Sequence, residues 1–231
     1  MPRPQFAQRD TISAVPTAMA ITETPPLPFD RSKTILTATV QDTLGHPIKA
    51  ELEIQGLIKG KTYTRVAVRD SFSLDPMQSI SINCNAVGYL YTQASYTAPG
   101  APTRANVKLT LRKIRMHQKI VLKGIEFEEG NAKLLPSSNA PLMNVVSFLQ
   151  TNSSINVMIN GYVNDPYGTN SAPAKKLSKQ RAAAVLNYLR MKGIALPRMD
   201  YEGYGNEFMI YPNPINDEQE QANRRVEIEI K

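Results

Sequence analysis

The hydrophobic rhythm of this 231-residue chain changes once, near residue 115, and that change limits the folds open to it. From about residue 29 to 113 apolar and polar residues alternate in short runs: TILTATV, IKAELEIQG, TYTRVAV, SFSLD, SISINCNAV, YLYTQASY and ANVKLTLRK. Alternation with period two puts successive side chains on opposite faces of a strand, and the turn residues between the runs, such as DTLGHP, break them at hairpin spacing. The pattern predicts an all-β sandwich of about seven strands. Ahead of it, residues 1–28 are rich in Pro and Thr, end in TETPPLPFD and carry no periodicity, which reads as an arm or linker.

After IRMHQKI the period lengthens. IVLKGIEF (120–127) reads as a strand, and in 140–152 the apolar residues Leu142, Val145, Val146 and Leu149 fall on one helical face. SINVMING (154–161) is a second strand. A helix is expected over 173–192, with Ser171 as its N-cap, Pro173 in its first turn and Gly193 as its stop. MDYEGYG (199–205) and NRRVEIEI (223–230) supply two further strands, separated by a loop rich in Asn and Pro. The fold expected is therefore of two domains. Residues 29–113 form the all-β sandwich, and residues 114–231 form an α+β sandwich in the order βαβαββ, with helices packed on a mixed sheet.

Composition removes several function classes. No apolar run is long enough to span a bilayer as a helix, and MPRPQFAQRD lacks the apolar core of an intact signal peptide. The one cysteine, Cys84, lies in an alternating strand and reads as a buried, inert thiol that leaves no cysteine-based metal site. His46 sits in a turn, and His117 has no ligand partner at metal spacing. The net charge of +7 is carried mostly by the first half, without a basic run or an Arg/aromatic stripe, so nucleic-acid binding has no support. Weak attraction to anionic surfaces fits such a charge. No Ser/His/Asp, Cys/His or phosphate-loop constellation appears, and the pair Glu128–Glu129 lacks a water-activating partner. The expectation is a protein that is not an enzyme and needs no cofactor.

The second half carries a resemblance. FEEGNAKLL, INVMINGY, LSKQRAAAVLNYLRMKGI, RMDYEGYGN and NRRVEIEI, in that order, resemble the OmpA-like peptidoglycan-binding domain. TVQDTLGHPIKAELEI, SFSLD and NAVGYLY in the first half more loosely resemble the carboxypeptidase regulatory-like β-sandwich. The pairing of the two implies a cell-envelope protein of the Bacteroidetes type, exposed to the periplasm and associated with cell wall and outer membrane. The resemblance further implies non-covalent capture of the peptidoglycan stem peptide by its diaminopimelate side chain, which ends in an ammonium beside a carboxylate. An Arg grips the carboxylate in two-pronged fashion and an acid holds the ammonium.

Arg181, in LSKQRA, falls on the family's Arg position. The family acid, in a GHTD-like turn, corresponds to Asn164 or Asp165 in GYVND, and the interval to the Arg is longer here, with Pro166–Tyr167 as the insertion. Ala174 stands where the family has an Asn. Phe127, Glu128 and Gly130 correspond to the pocket border and the loop after it, Leu177 lies one turn before Arg181, and Arg225 falls beside the family site. The altered turn leaves a second reading open: a structural or interaction subunit of an envelope assembly whose pocket no longer binds peptidoglycan. In either reading a partner protein would engage the arm or the β-sandwich.

Overall fold

The computed structural model describes residues 30, 32–169 and 171–231. The Pro-rich arm expected over 1–28 lies outside the described residues.

The alternating half folds as its period dictates. Strands β1 (Thr34–Asp42), β2 (Ala50–Ile58), β3 (Lys61–Ala67), β4 (Arg69–Leu74), β5 (Ser79–Asn85), β6 (Thr92–Thr97) and β7 (Arg104–Leu111) form two sheets, β4-β1-β7 and β3-β2-β5-β6. All neighbours run antiparallel except β1 and β7. Leu36, Ala38, Phe72 and Leu109 from the first sheet meet Leu52, Ile54, Ile82 and Cys84 from the second in one core. Cys84 is buried there, and burial pushes its thiol up to about 12, since the thiolate cannot be solvated.

The remaining strands and α-helices are β8 (Lys119–Val121), α1 (Asn139–Thr151), β9 (Val157–Gly161), α2 (Ala172–Met191), β10 (Met199–Gly203), α3 (Asp217–Asn223) and β11 (Val226–Ile230). The sheet order is β10-β9-β11-β8, with β9 and β10 parallel and the other pairs antiparallel. Val157 and Ile159 of β9 and Val226, Ile228 and Ile230 of β11 pack against Leu142, Val145 and Leu149 of α1 and Ala182, Val185 and Leu189 of α2. Ser171 caps α2 as expected, its Oγ accepting a hydrogen bond from Ala174 N at 3.3 Å, and Gly193 ends it with φ +91°. Among the described residues no helix is long and apolar enough to cross a membrane.

Two expected elements differ. The strand expected over 120–127 is only three residues long, because Gly124 turns the chain with φ +76° and Phe127 instead bridges to Leu134 in a small hairpin. The loop before the last strand contains α3, whose N-cap Asn216 accepts from Gln219 N. Asp217, Glu218 and Glu220 favour that helix's positive end.

The two cores meet directly. The segment after β5 carries Leu90 into the second core and lays Tyr91 against Phe148, ring centroids 5.7 Å apart. Asn152 Oδ1 accepts from Gly88 N at 2.7 Å, and Ser147 Oγ donates to Glu53 Oε1 at 3.0 Å.

The second unit depends on a close approach. Gly161 and Gly203 are partners in the β9–β10 register, and α2 crosses them at Ser178 and Lys179. A Cβ on Gly161 would overlap the Ser178 carbonyl oxygen, which belongs to backbone and cannot swing aside. Gly161→Ala is therefore expected to destabilise the fold by about 1–3 kcal/mol, the range for an overpacked core position, as read from urea or thermal unfolding.

Candidate functional site

Ser178 fixes the helix that carries the site. Its Oγ donates to Lys175 O at 2.9 Å and accepts from Gly205 N at 2.8 Å, so α2 is pinned to the chain leaving β10. Arg181 lies three residues on, hence on the same helical face, and is only 6% exposed. Its guanidinium reaches the 127–134 hairpin. Nε donates to Asn131 O at 3.1 Å, and the guanidinium carbon lies 5.1 Å from the Phe127 ring centroid, a cation–π distance. The two terminal nitrogens of Arg181 have no hydrogen-bond partner among the described residues.

Arg181 opens onto a cavity of about 180 Å³. Ile125, Phe127 and Leu135 form its apolar wall, and Glu126, Gln221 and Arg224 complete the polar part. Arg224 closes α3, donating from Nη1 to Glu220 Oε2 at 2.9 Å and from Nε to Gln221 Oε1 at 3.3 Å. Burial holds the Arg181 guanidinium below its usual pKa, and the charge of Arg224 pushes the same way. An Arg stays protonated regardless, so the cavity holds a partly desolvated cation that an incoming carboxylate would relieve. Among the described residues no group of three or more His, Cys, Asp or Glu is placed to hold a metal ion.

Of the residues expected at the site, the structure brings Arg181 and Phe127 together. The Asp165 carboxylate folds back over Gly168, filling the space a side chain there would need, while its backbone carbonyl accepts from Gly168 N and from Asn206 Nδ2. Asn164 Oδ1 accepts from Asn223 Nδ2 at 2.8 Å. Asn223 is fully buried and also exchanges two hydrogen bonds with the Tyr211 backbone, so the Asn164 amide is engaged in holding the 204–216 loop. Glu128 turns to Lys133 in a 2.6 Å ion pair, Gly130 is exposed at the hairpin tip with φ +68°, and Leu177 is half-buried on α2 without lining the cavity.

Arg225 lies elsewhere. It pairs with Glu227 at 2.6 Å, stacks 3.9 Å over the Tyr162 ring and donates to Phe208 O. Tyr162 OH donates to Glu227 Oε2, and burial, then the charge of Glu227, raises the Tyr162 phenol's pKa.

The adjacent Arg224, with Glu126 and Gln221, was not anticipated. A signal existed for Arg224: it shares the parity of Val226, Ile228 and Ile230, which face the helices, whereas Arg225 shares that of Glu227.

Residues 126–225 match the OmpA family and form an OmpA family domain. A curated relative, the photosystem I P700 chlorophyll a apoprotein A2 of Gloeobacter violaceus, is 36% identical over 111 residues. That match covers 46% of this chain and 12% of the relative, so the chain spans about an eighth of its length. Similar solved structures include the periplasmic domain of Helicobacter pylori MotB, with 20% identity, 49% of this chain and 73% of that one covered, and TM-score 0.42. A putative MotB-like protein from Desulfovibrio vulgaris has 24% identity, the same coverages and TM-score 0.42. The peptidoglycan-associated lipoprotein of Burkholderia pseudomallei has 19% identity, 49% and 90% covered, and TM-score 0.40.

The structural role of Arg225 is open to measurement. Removing one partner of a buried ion pair leaves the other charge uncompensated, so Arg225→Ala is expected to lower stability by about 3–5 kcal/mol in urea unfolding. Arg224→Ala, at a half-exposed position, should cost under about 1 kcal/mol.

Proposed function

We propose that residues 114–231 bind the peptide stem of peptidoglycan without covalent chemistry and so anchor an envelope complex to the cell wall. The observation that carries this reading is Arg181: a buried guanidinium, held by one hydrogen bond and one ring, with two donors free toward a cavity in an OmpA family domain. A carboxylate fits that arrangement by two parallel hydrogen bonds, and Arg224 adds charge beside it. The ligand proposed is the diaminopimelate side chain, whose terminal carboxylate would take the Arg181 position. The reading places the domain in the periplasm and assigns the chain no enzymatic step and no cofactor. It keeps the β1–β7 sandwich as a carboxypeptidase regulatory-like module, and a partner protein on that sandwich or on the arm.

A second reading rests on a specific observation. The Asp165 carboxylate lies over Gly168, the Asn164 amide is bonded to Asn223, and neither lines the cavity, so the fold would serve as a scaffold in an envelope assembly whose pocket is retired. Titration of the full chain with a diaminopimelate-containing stem peptide separates the two. Saturable binding, weakened about ten- to a hundredfold in Arg181→Ala, is expected, since hydrogen bonds to charged groups contribute about 1.5–3 kcal/mol. Absence of binding at millimolar peptide, with no effect of Arg181→Ala, would favour the scaffold.

A further inference from the structure

The cavity has an acid, although not the one the turn after β9 would supply. Glu126 lies on the cavity wall with Arg181 and Arg224. Its position is built. Its backbone N–H donates to Ser138 Oγ at 2.8 Å, and its carbonyl accepts from Ser138 Oγ at 2.9 Å and from Leu135 N at 3.0 Å. Ser138 is fully buried. The carboxylate is oriented as well, with Oε2 accepting from Ser137 Oγ at 2.8 Å. Oε1 has no partner among the described residues, and Glu126 makes no ion pair with either arginine across the space between them. An exposed carboxylate held by one hydroxyl and a buried guanidinium that line one cavity without pairing leave room for a ligand carrying both opposite charges. At about 180 Å³ the cavity has room for several waters, and so for the handful of heavy atoms in an amino-acid head group.

We propose that Glu126 is the acid that receives the ammonium of the bound peptide, doing from the 126–138 hairpin what Asp165 and Asn164 do not do from the turn after β9. This rests on the wall-binding reading above. It makes Glu126 the residue that selects an amino-acid end over a plain carboxylate, while Arg181 supplies the grip common to both.

Two peptides test it on the full chain: a stem peptide ending in diaminopimelate, and the same peptide lacking the distal amine. Glu126→Gln keeps an oxygen for Ser137 and leaves the backbone bonds intact, so it is expected to fold. It should weaken the diaminopimelate peptide about tenfold and leave the peptide without the amine unchanged, and Asp165→Asn should alter neither. Arg181-dependent binding that is insensitive to Glu126→Gln, with Asp165→Asn taking the tenfold loss, would overturn the assignment and leave the wall anchor standing. No binding of either peptide by the unaltered chain would overturn both.

Discussion

Everything at the proposed site hangs from two glycines paired across neighbouring strands. Gly161 and Gly203 present bare backbone to α2, and the helix descends onto it until the Ser178 carbonyl and the Lys179 backbone lie where side chains would otherwise stand. The close approach lets Ser178 Oγ bond Gly205 N, which fixes the helix along its axis. Arg181 then reaches the hairpin of Phe127 and Asn131. A helix held farther out by a pair of alanines would place that guanidinium on different partners. Packing at the strand ends thus sets the geometry of a charge three residues along the helix.

A second set of polar contacts holds what the helix does not. On the opposite parity of β11, Arg225, Glu227 and Tyr162 form a buried cluster that takes the Phe208 carbonyl and, through stacked Tyr162 and Tyr204, the start of the 204–216 loop. Asn223 ties the middle of that loop, at Tyr211, to the turn after β9. These bonds leave the turn after β9 engaged in intramolecular contacts. Asn164 is bonded to Asn223, and the Asp165 carboxylate curls back over Gly168.

Much of this was legible in the sequence, for physical reasons. The period-two runs gave β1 to β7 because each strand buries one face of a sandwich, and Ser171 and Gly193 bracketed α2 because unpaired backbone groups at helix ends need such residues. Arg181 was singled out by its place in LSKQRA, the stretch that carries the family resemblance. What escaped were features set by tertiary contact or by a single dihedral. The Gly124 turn, which shortens β8, left no mark on the apolar pattern, and α3 is too short and polar to show periodicity. Glu126 looked like any exposed strand residue, since only the hairpin's return to Ser137 and Ser138 reveals that its carboxylate is held. Arg224 and Arg225 differ by one position, and parity alone separates a cavity wall from a buried ion pair.

The same hairpin also joins the site to the rest of the chain. Ser138, which clamps Glu126, stands at the N-cap of α1, and Ser147 and Asn152 at the other end of that helix bond Glu53 and Gly88 of the β-sandwich. Leu90 and Tyr91 fill the space between in the second core. The connection from sandwich to cavity therefore runs through one helix hydrogen-bonded at both ends, with apolar packing along its flank, rather than through a solvated linker. The hairpin that bears Glu126 and Phe127 is tied through α1 to the sandwich, while Arg181, which touches that hairpin, is carried by a helix packed on the glycines of the sheet. The two halves of the cavity are thus mounted on different supports, the acid side on α1 and the guanidinium side on β9 and β10.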